Sequence, residues 1–326
     1  MLTTATAEQA GAILRAMGQV ATAGRTKPLT EAGFRSLQAA ARHLFHLADA
    51  PDADALPPIT PHDLGAALSG QPAAIMAARF LAVTALVDGE LDAGKITLVL
   101  DYAAALGIRE DYLQQLQAAI SGRLSWALAD MTRQNIKSLW DQPWRDEDDV
   151  MALLLPYQGD RADPALVARH ETLGALPEGS FGRAYWTIYK ANGYAFPGDP
   201  RGVNAAFARP HDSTHVLSGY DTSPQGEILV STFTAGMHPK LPMEGHILPV
   251  IFSWHLGIEI NKFAGSARGA LDPEKFWVAW ARGAEVAVDL FAPGWDFWAV
   301  AKEPVETLRR RYRVPPLDPR HAAAAR

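Results

Sequence analysis

Residues 211–227, His-Asp-Ser-Thr-His-Val-Leu-Ser-Gly-Tyr-Asp-Thr-Ser-Pro-Gln-Gly-Glu, constrain this chain more than any other stretch. His211 and His215 are four apart, so a helix sets both on one face. Asp212 is one position on, about 100° round and still reachable from that side. Gly219 suits a helix C-terminus, Ser223 an N-cap and Pro224 a first helical position. The spacing therefore predicts helix, tight turn, helix. The hairpin folds about residue 221, which sets Glu227 opposite His215 and leaves Asp221 in the turn. His211, Asp212, His215 and Glu227 then converge without help from the rest of the fold. Two imidazoles and two carboxylates suit a first-row divalent ion. Zinc is the first expectation, with iron(II), manganese or cobalt also suited. The bland alternative is a pair of surface histidines and two solvated acids, Glu227 being favoured at a helix start by the dipole alone.

The pattern His-Asp-x-x-His, eleven intervening residues, then Glu resembles the metal signature of the coenzyme Q biosynthesis protein 4 family. Further segments resemble that family. They are Leu176-Pro-Glu-Gly-Ser-Phe-Gly182 with Tyr185 and Tyr189 after it, Gly226-Glu-Ile, Leu241-Pro-Met243, and the stretch from Trp298 to Arg310. The resemblance spans about residues 165–315. Ala208-Arg-Pro210 stands where the family has Arg-Glu-Cys, and Ser213-Thr214 where it is bulkier. The resemblance implies a ubiquinone-biosynthesis protein that binds a divalent metal and a prenylated quinone precursor. Such a protein organises other ubiquinone-biosynthesis enzymes, or removes the ring carboxylate by metal-dependent oxidative decarboxylation. Asp212 would accept a proton if it does not ligate. A homodimer is the expected assembly.

No strand-like alternation runs far enough to build a sheet, so the expected fold is all-α, in two helical domains at 1–140 and 151–326. The divider is the acidic, proline-containing stretch 140–149, Trp-Asp-Gln-Pro-Trp-Arg-Asp-Glu-Asp-Asp. Helices are expected over 6–17, 30–47, from Thr60 on, 72–87 and 93–106, with another opened by Arg109. Ala85-Leu-Val-Asp-Gly-Glu-Leu-Asp92 resembles the acidic turn of the tellurite-resistance TerB family over residues 75–120. That family continues to a Glu about six residues after the glycine, where this chain has Lys95.

Residues 228–263 are the most apolar part. They read either as a buried helix pair or, following the family resemblance, as a lipid tunnel in which Phe233, Met237, Leu248 and Phe252 would line the tail. His238, His246 and His255 read as core or surface residues. The basic run Leu308-Arg-Arg-Arg-Tyr-Arg313 reads as dipole complementation at its own helix end, or as a contact for anionic lipid headgroups.

With net charge −6, general nucleic-acid binding is not expected. The chain has no cysteine, which excludes disulfides, thiolate ligands and cysteine nucleophiles. No signal peptide or membrane span is visible, so a cytoplasmic location, peripheral at most to the inner membrane, is expected. The rival enzyme class is an HD-type phosphohydrolase, with His170 and Asp289 completing the His-Asp doublet. A non-catalytic scaffold with structural zinc is the other rival.

Overall fold

The computed structural model describes residues 5–47, 56–70, 72–139, 162–260 and 265–323. Within them every regular element is helical, and β pairing is limited to two isolated bridges, Ser180 with Pro304 and Leu256 with Arg268. The first seven helices are α1 (Ala7–Ala21), α2 (Glu31–Ala39), α3 (Pro61–Leu68), α4 (Pro72–Thr84), α5 (Ala93–Ala105), α6 (Asp111–Ile120) and α7 (Leu124–Leu139). Then come α8 (Pro164–Glu171), α9 (Phe181–Asn192), α10 (Ala205–Ser218), α11 (Pro224–Met237), α12 (Leu248–Trp254), α13 (Pro273–Ala284), α14 (Phe297–Val300) and α15 (Val305–Arg311).

The cap residues place the helix starts where the sequence put them. Thr6, Thr30, Thr60, Asp92 and Asp163 each accept a hydrogen bond from a backbone N–H of the first turn. The ends shift more. The helix expected over 30–47 loosens after Ala39 into a π-turn, Ala40–Leu44, and the one expected over 72–87 stops at Thr84.

Two hydrophobic cores result, and they do not divide the chain into halves. The first holds α1 to α7 together with Ile228, Leu248, Ile251, Phe252, Phe276, Trp277 and Trp280. The second gathers Phe181, Tyr185, Tyr189, Leu217, Leu229, Phe233, Met237, Phe297 and Leu308. Helices α11 and α13 form the wall between them, which is why α11 is buried almost all round. Two glycines let that wall close. A Cβ on Gly283 would lie 2.0 Å from the Phe233 carbonyl, and one on Gly236 would lie 2.6 Å from the Trp280 carbonyl. Polar ties cross between early and late sequence as well. The Trp277 indole N–H donates to Ser36, and His255 bonds the Val87 carbonyl at 3.0 Å. Arg35 pairs with Asp272 at 2.7 Å.

Packing therefore crosses the stretch at 140–150. The proposed linker lies outside the described residues, but residues 228–280 supply a large part of the first core. The acidic turn at 88–92 is neutralised from within. Lys95 pairs with Asp88, both nearly buried, and Lys27 pairs with Asp92. No helix among the described residues is long and apolar enough to cross a membrane.

Candidate metal centre

The hairpin forms as its sequence requires. Helix α10 starts at an Asn204 cap and ends at Gly219, whose φ of 82° is left-handed. Ser223 then caps α11 by accepting from the Gly226 N–H at 3.0 Å, with Pro224 at the first position. Asp221 holds the turn, accepting from the Ser223 N–H at 3.0 Å and hydroxyl at 2.5 Å. Gly226 packs so tightly beneath it that a Cβ would sit 2.0 Å from the Asp221 carbonyl oxygen. Pro210 lies inside α10, a position sequence rules disfavour.

Across the hairpin the His211 Nε2 is 3.3 Å from Glu227 Oε2, and the His215 Nε2 is 3.5 Å from Glu227 Oε1. The three ligand atoms lie within 4.8 Å of one another. Bonds of about 2.0–2.1 Å at tetrahedral angles leave roughly 3.3–3.4 Å between neighbouring ligand atoms, so the separations fit an ion's coordination edges. His215 is 1% exposed, His211 16% and Glu227 20%. One side of the cluster therefore meets solvent. The ring of His215 is oriented from behind, its Nδ1 lying 3.0 Å from the Tyr220 carbonyl. That contact makes Nδ1 the donor and aims Nε2 at the cluster, where it is buried without a hydrogen-bond partner. His211 stacks on Phe207, with centroids 4.9 Å apart.

The field around these groups is negative. Burial opposes a charged His215, yet Glu227 and then Asp212 outweigh it and push the ring up to about 9. Burial would likewise raise the Glu227 carboxyl, but His215 and His211 hold it well below the ordinary carboxylate range. Burial raises Asp212 despite the same two imidazoles. A buried set that draws a proton onto an imidazole is also a set that favours a cation.

Asp212 stands beside the group of three. Its Oδ2 accepts from the Tyr189 hydroxyl at 2.5 Å, and Tyr189 in turn accepts from Tyr185 at 3.0 Å. The expected four-residue convergence thus resolves into three convergent ligand groups and one carboxylate held by a tyrosine chain. That contact joins α9 to α10, so no spacing within either helix signals it.

Two arginines brace the hairpin, Arg309 from the basic run and Arg282, which the sequence reading did not single out. Arg309 donates to the Val216 and Leu217 carbonyls at 2.9 and 3.0 Å, and Arg282 donates to Ser218 at 2.9 Å. These are the last carbonyls of α10, which a helix leaves unpaired. Arg309 of the basic run therefore complements the C-terminus of another helix.

The residues proposed for a lipid tail are all buried among protein side chains. Phe233 and Met237 lie in the second core, Leu248 and Phe252 in the first, on opposite sides of the α11–α13 wall. The phosphohydrolase candidates are occupied elsewhere. His170 sits in an aromatic nest, stacked on Phe196 at 5.6 Å, with Nδ1 2.9 Å from the Leu166 carbonyl. Asp289 binds His238 at 2.8 Å.

No family model matches the chain, and no curated protein matches it. Among solved structures, one match is a Nostoc punctiforme protein provisionally named for ubiquinone biosynthesis. It is 20% identical, with 74% of this chain and 97% of that chain covered, at a TM-score of 0.32. A score that low does not establish a common fold.

Proposed function

We propose that this chain is a ubiquinone-biosynthesis protein that holds one divalent metal, zinc first among the candidates, on His211, His215 and Glu227. The observation that carries the metal is the buried, unpartnered Nε2 of His215, aimed by the Tyr220 carbonyl toward the other two donors. The ubiquinone assignment rests on the spacing of those ligands and on the Leu176–Gly182 and Leu241–Met243 segments that resemble the coenzyme Q biosynthesis protein 4 family. A metal here would supply Lewis-acid polarisation of a ring carboxylate or phenolate.

The chain's own residues divide the remaining work. Asp212 would accept a proton beside the cluster, a role supported by its burial and its bond from the Tyr189 hydroxyl. Arg209 precedes His211 by two positions, and its buried Nε has no hydrogen-bond partner. It is the candidate anchor for the carboxylate of an aromatic acid. A prenyl tail would leave from the solvent side, because Phe233, Met237, Leu248 and Phe252 are buried within the two cores.

The test is metal analysis of the purified full chain together with mass spectrometry of co-purified lipid. About one hairpin-bound ion, lost in His215→Ala and in Glu227→Ala, is the expected outcome. Full occupancy of the hairpin in His215→Ala would remove the metal assignment. Absence of any prenylated ligand, with failure to restore ubiquinone synthesis in cells lacking the family member, would remove the quinone assignment and leave the metal.

A further inference from the structure

A second group with the same chemistry lies far from the hairpin in sequence. His43 Nε2 is 3.2 Å from Glu274 Oε1, and His321 Nε2 is 3.8 Å from that same oxygen. All three ligand atoms fall within 4.8 Å of one another, as they do in the hairpin. The two rings meet edge to face with centroids 5.5 Å apart. We propose that His43, Glu274 and His321 form a second divalent-cation site, specific for a zinc-like ion, that clips the end of the chain to the first core.

Each ligand sits on a defined local feature. His43 sits in the π-turn Ala40–Leu44, where one widened turn changes the direction of the side chains. Such turns are rare and concentrate at functional positions. Glu274 is in the first turn of α13, fixed by the Asp272 cap, which accepts from the Glu274 N–H at 3.0 Å. His321 ends a short 3-10 turn, Pro319–His321, capped by the Asp318 side chain. His43 and Glu274 are 231 positions apart, so the cluster exists only because the tertiary fold builds it.

The site is less enclosed than the hairpin. His43 is 21%, His321 16% and Glu274 34% exposed. Two imidazoles and a carboxylate leave at least one coordination position for water, as in three-ligand zinc sites. Of the cationic neighbours Arg42, Arg35 and Arg320, the one in contact with the carboxylate is Arg42. Arg42 Nη1 lies 3.3 Å from Glu274 Oε1, on a side chain that is 59% exposed. A bound ion must displace that guanidinium into solvent, which makes Arg42 a brake on affinity and gives the proposal a sign that a mere salt-bridge cluster lacks.

The experiment uses the full chain carrying His215→Ala and Glu227→Ala, which silences the hairpin, stripped with chelator and titrated with zinc and with cobalt(II). One remaining equivalent should bind, with a cobalt visible spectrum of nitrogen and oxygen ligation and a higher thermal midpoint when zinc is present. Adding His321→Ala, at a terminal turn outside both cores, should weaken zinc binding tenfold or more and abolish the thermal response. Adding Arg42→Ala instead should tighten binding severalfold. Retention of the zinc response in the His321→Ala protein, or a hairpin-silenced protein that binds no zinc, would overturn the site. Neither result touches the hairpin, whose metal is read separately in the chain carrying His43→Ala and His321→Ala.

Discussion

At the residue scale, His215 and His170 show how position sets the chemistry of one side chain. Both rings are buried with one nitrogen beside a backbone carbonyl, but only His215 faces carboxylates. Its substitution by alanine should cost the hairpin its ion while the helix content stays as it was, checked by metal analysis beside circular dichroism. Burial pulls His170 down to about 4. Its ordinary value is near 6.5, so the unfolded chain takes up the proton first as pH falls. His170 should therefore cost no stability at neutral pH and should destabilise the fold progressively from about 6.5 down to about 4. Denaturant midpoints measured across that window should flatten in His170→Phe relative to the native chain.

At the element scale, the hairpin depends on a turn with no room and on braces from outside. Gly226→Ala forces a Cβ against the Asp221 carbonyl and should destabilise by about 1–3 kcal/mol. It should also loosen the ion, because Glu227 is the next residue along. Arg309→Ala removes two donors from the C-terminal carbonyls of α10, a loss of roughly 1–3 kcal/mol for bonds made by a charged group. Zinc affinity and urea midpoint should fall together in Arg309→Ala. In Arg310→Ala, whose side chain reaches only Thr307, neither should move.

At the scale of the whole molecule, the shared first core predicts that the halves cannot be separated. A fragment from Met151 onward would expose Leu248, Phe252, Phe276 and Trp277, all buried in the full chain against helices from the first half. Expressed alone it should be insoluble or bind hydrophobic dyes, and co-expression with residues 1–150 should rescue it. A soluble, cooperatively folded fragment would show that the second core suffices by itself. Within the intact chain, Trp277→Ala should cost about 3–5 kcal/mol, since it lines the wall and bonds Ser36.

The helices and the hairpin were legible in the sequence because their causes are local. Caps at Thr30 and Thr60, the glycine stop at 219 and the Ser223-Pro224 start act over a few residues, so pattern alone placed them. The convergence of His211, His215 and Glu227 was legible for the same reason, since a tight turn leaves a helical hairpin little choice of register, whereas Asp212, expected with them, is held by Tyr189. What only the tertiary structure decided is every relation between distant segments. The apolar run 228–263 showed that a core existed but not which helices would cover it, because burial is non-directional and any apolar partner satisfies it. Hence the boundary at 140–149 was read from composition alone, whereas packing decided that α11 and α13 lie between the two cores. The tyrosine chain to Asp212, the arginine braces on α10 and the cluster of His43, Glu274 and His321 each join residues whose spacing carries no periodic signal. Their geometry follows from the packed cores, which bring those segments within hydrogen-bonding distance once the fold has formed.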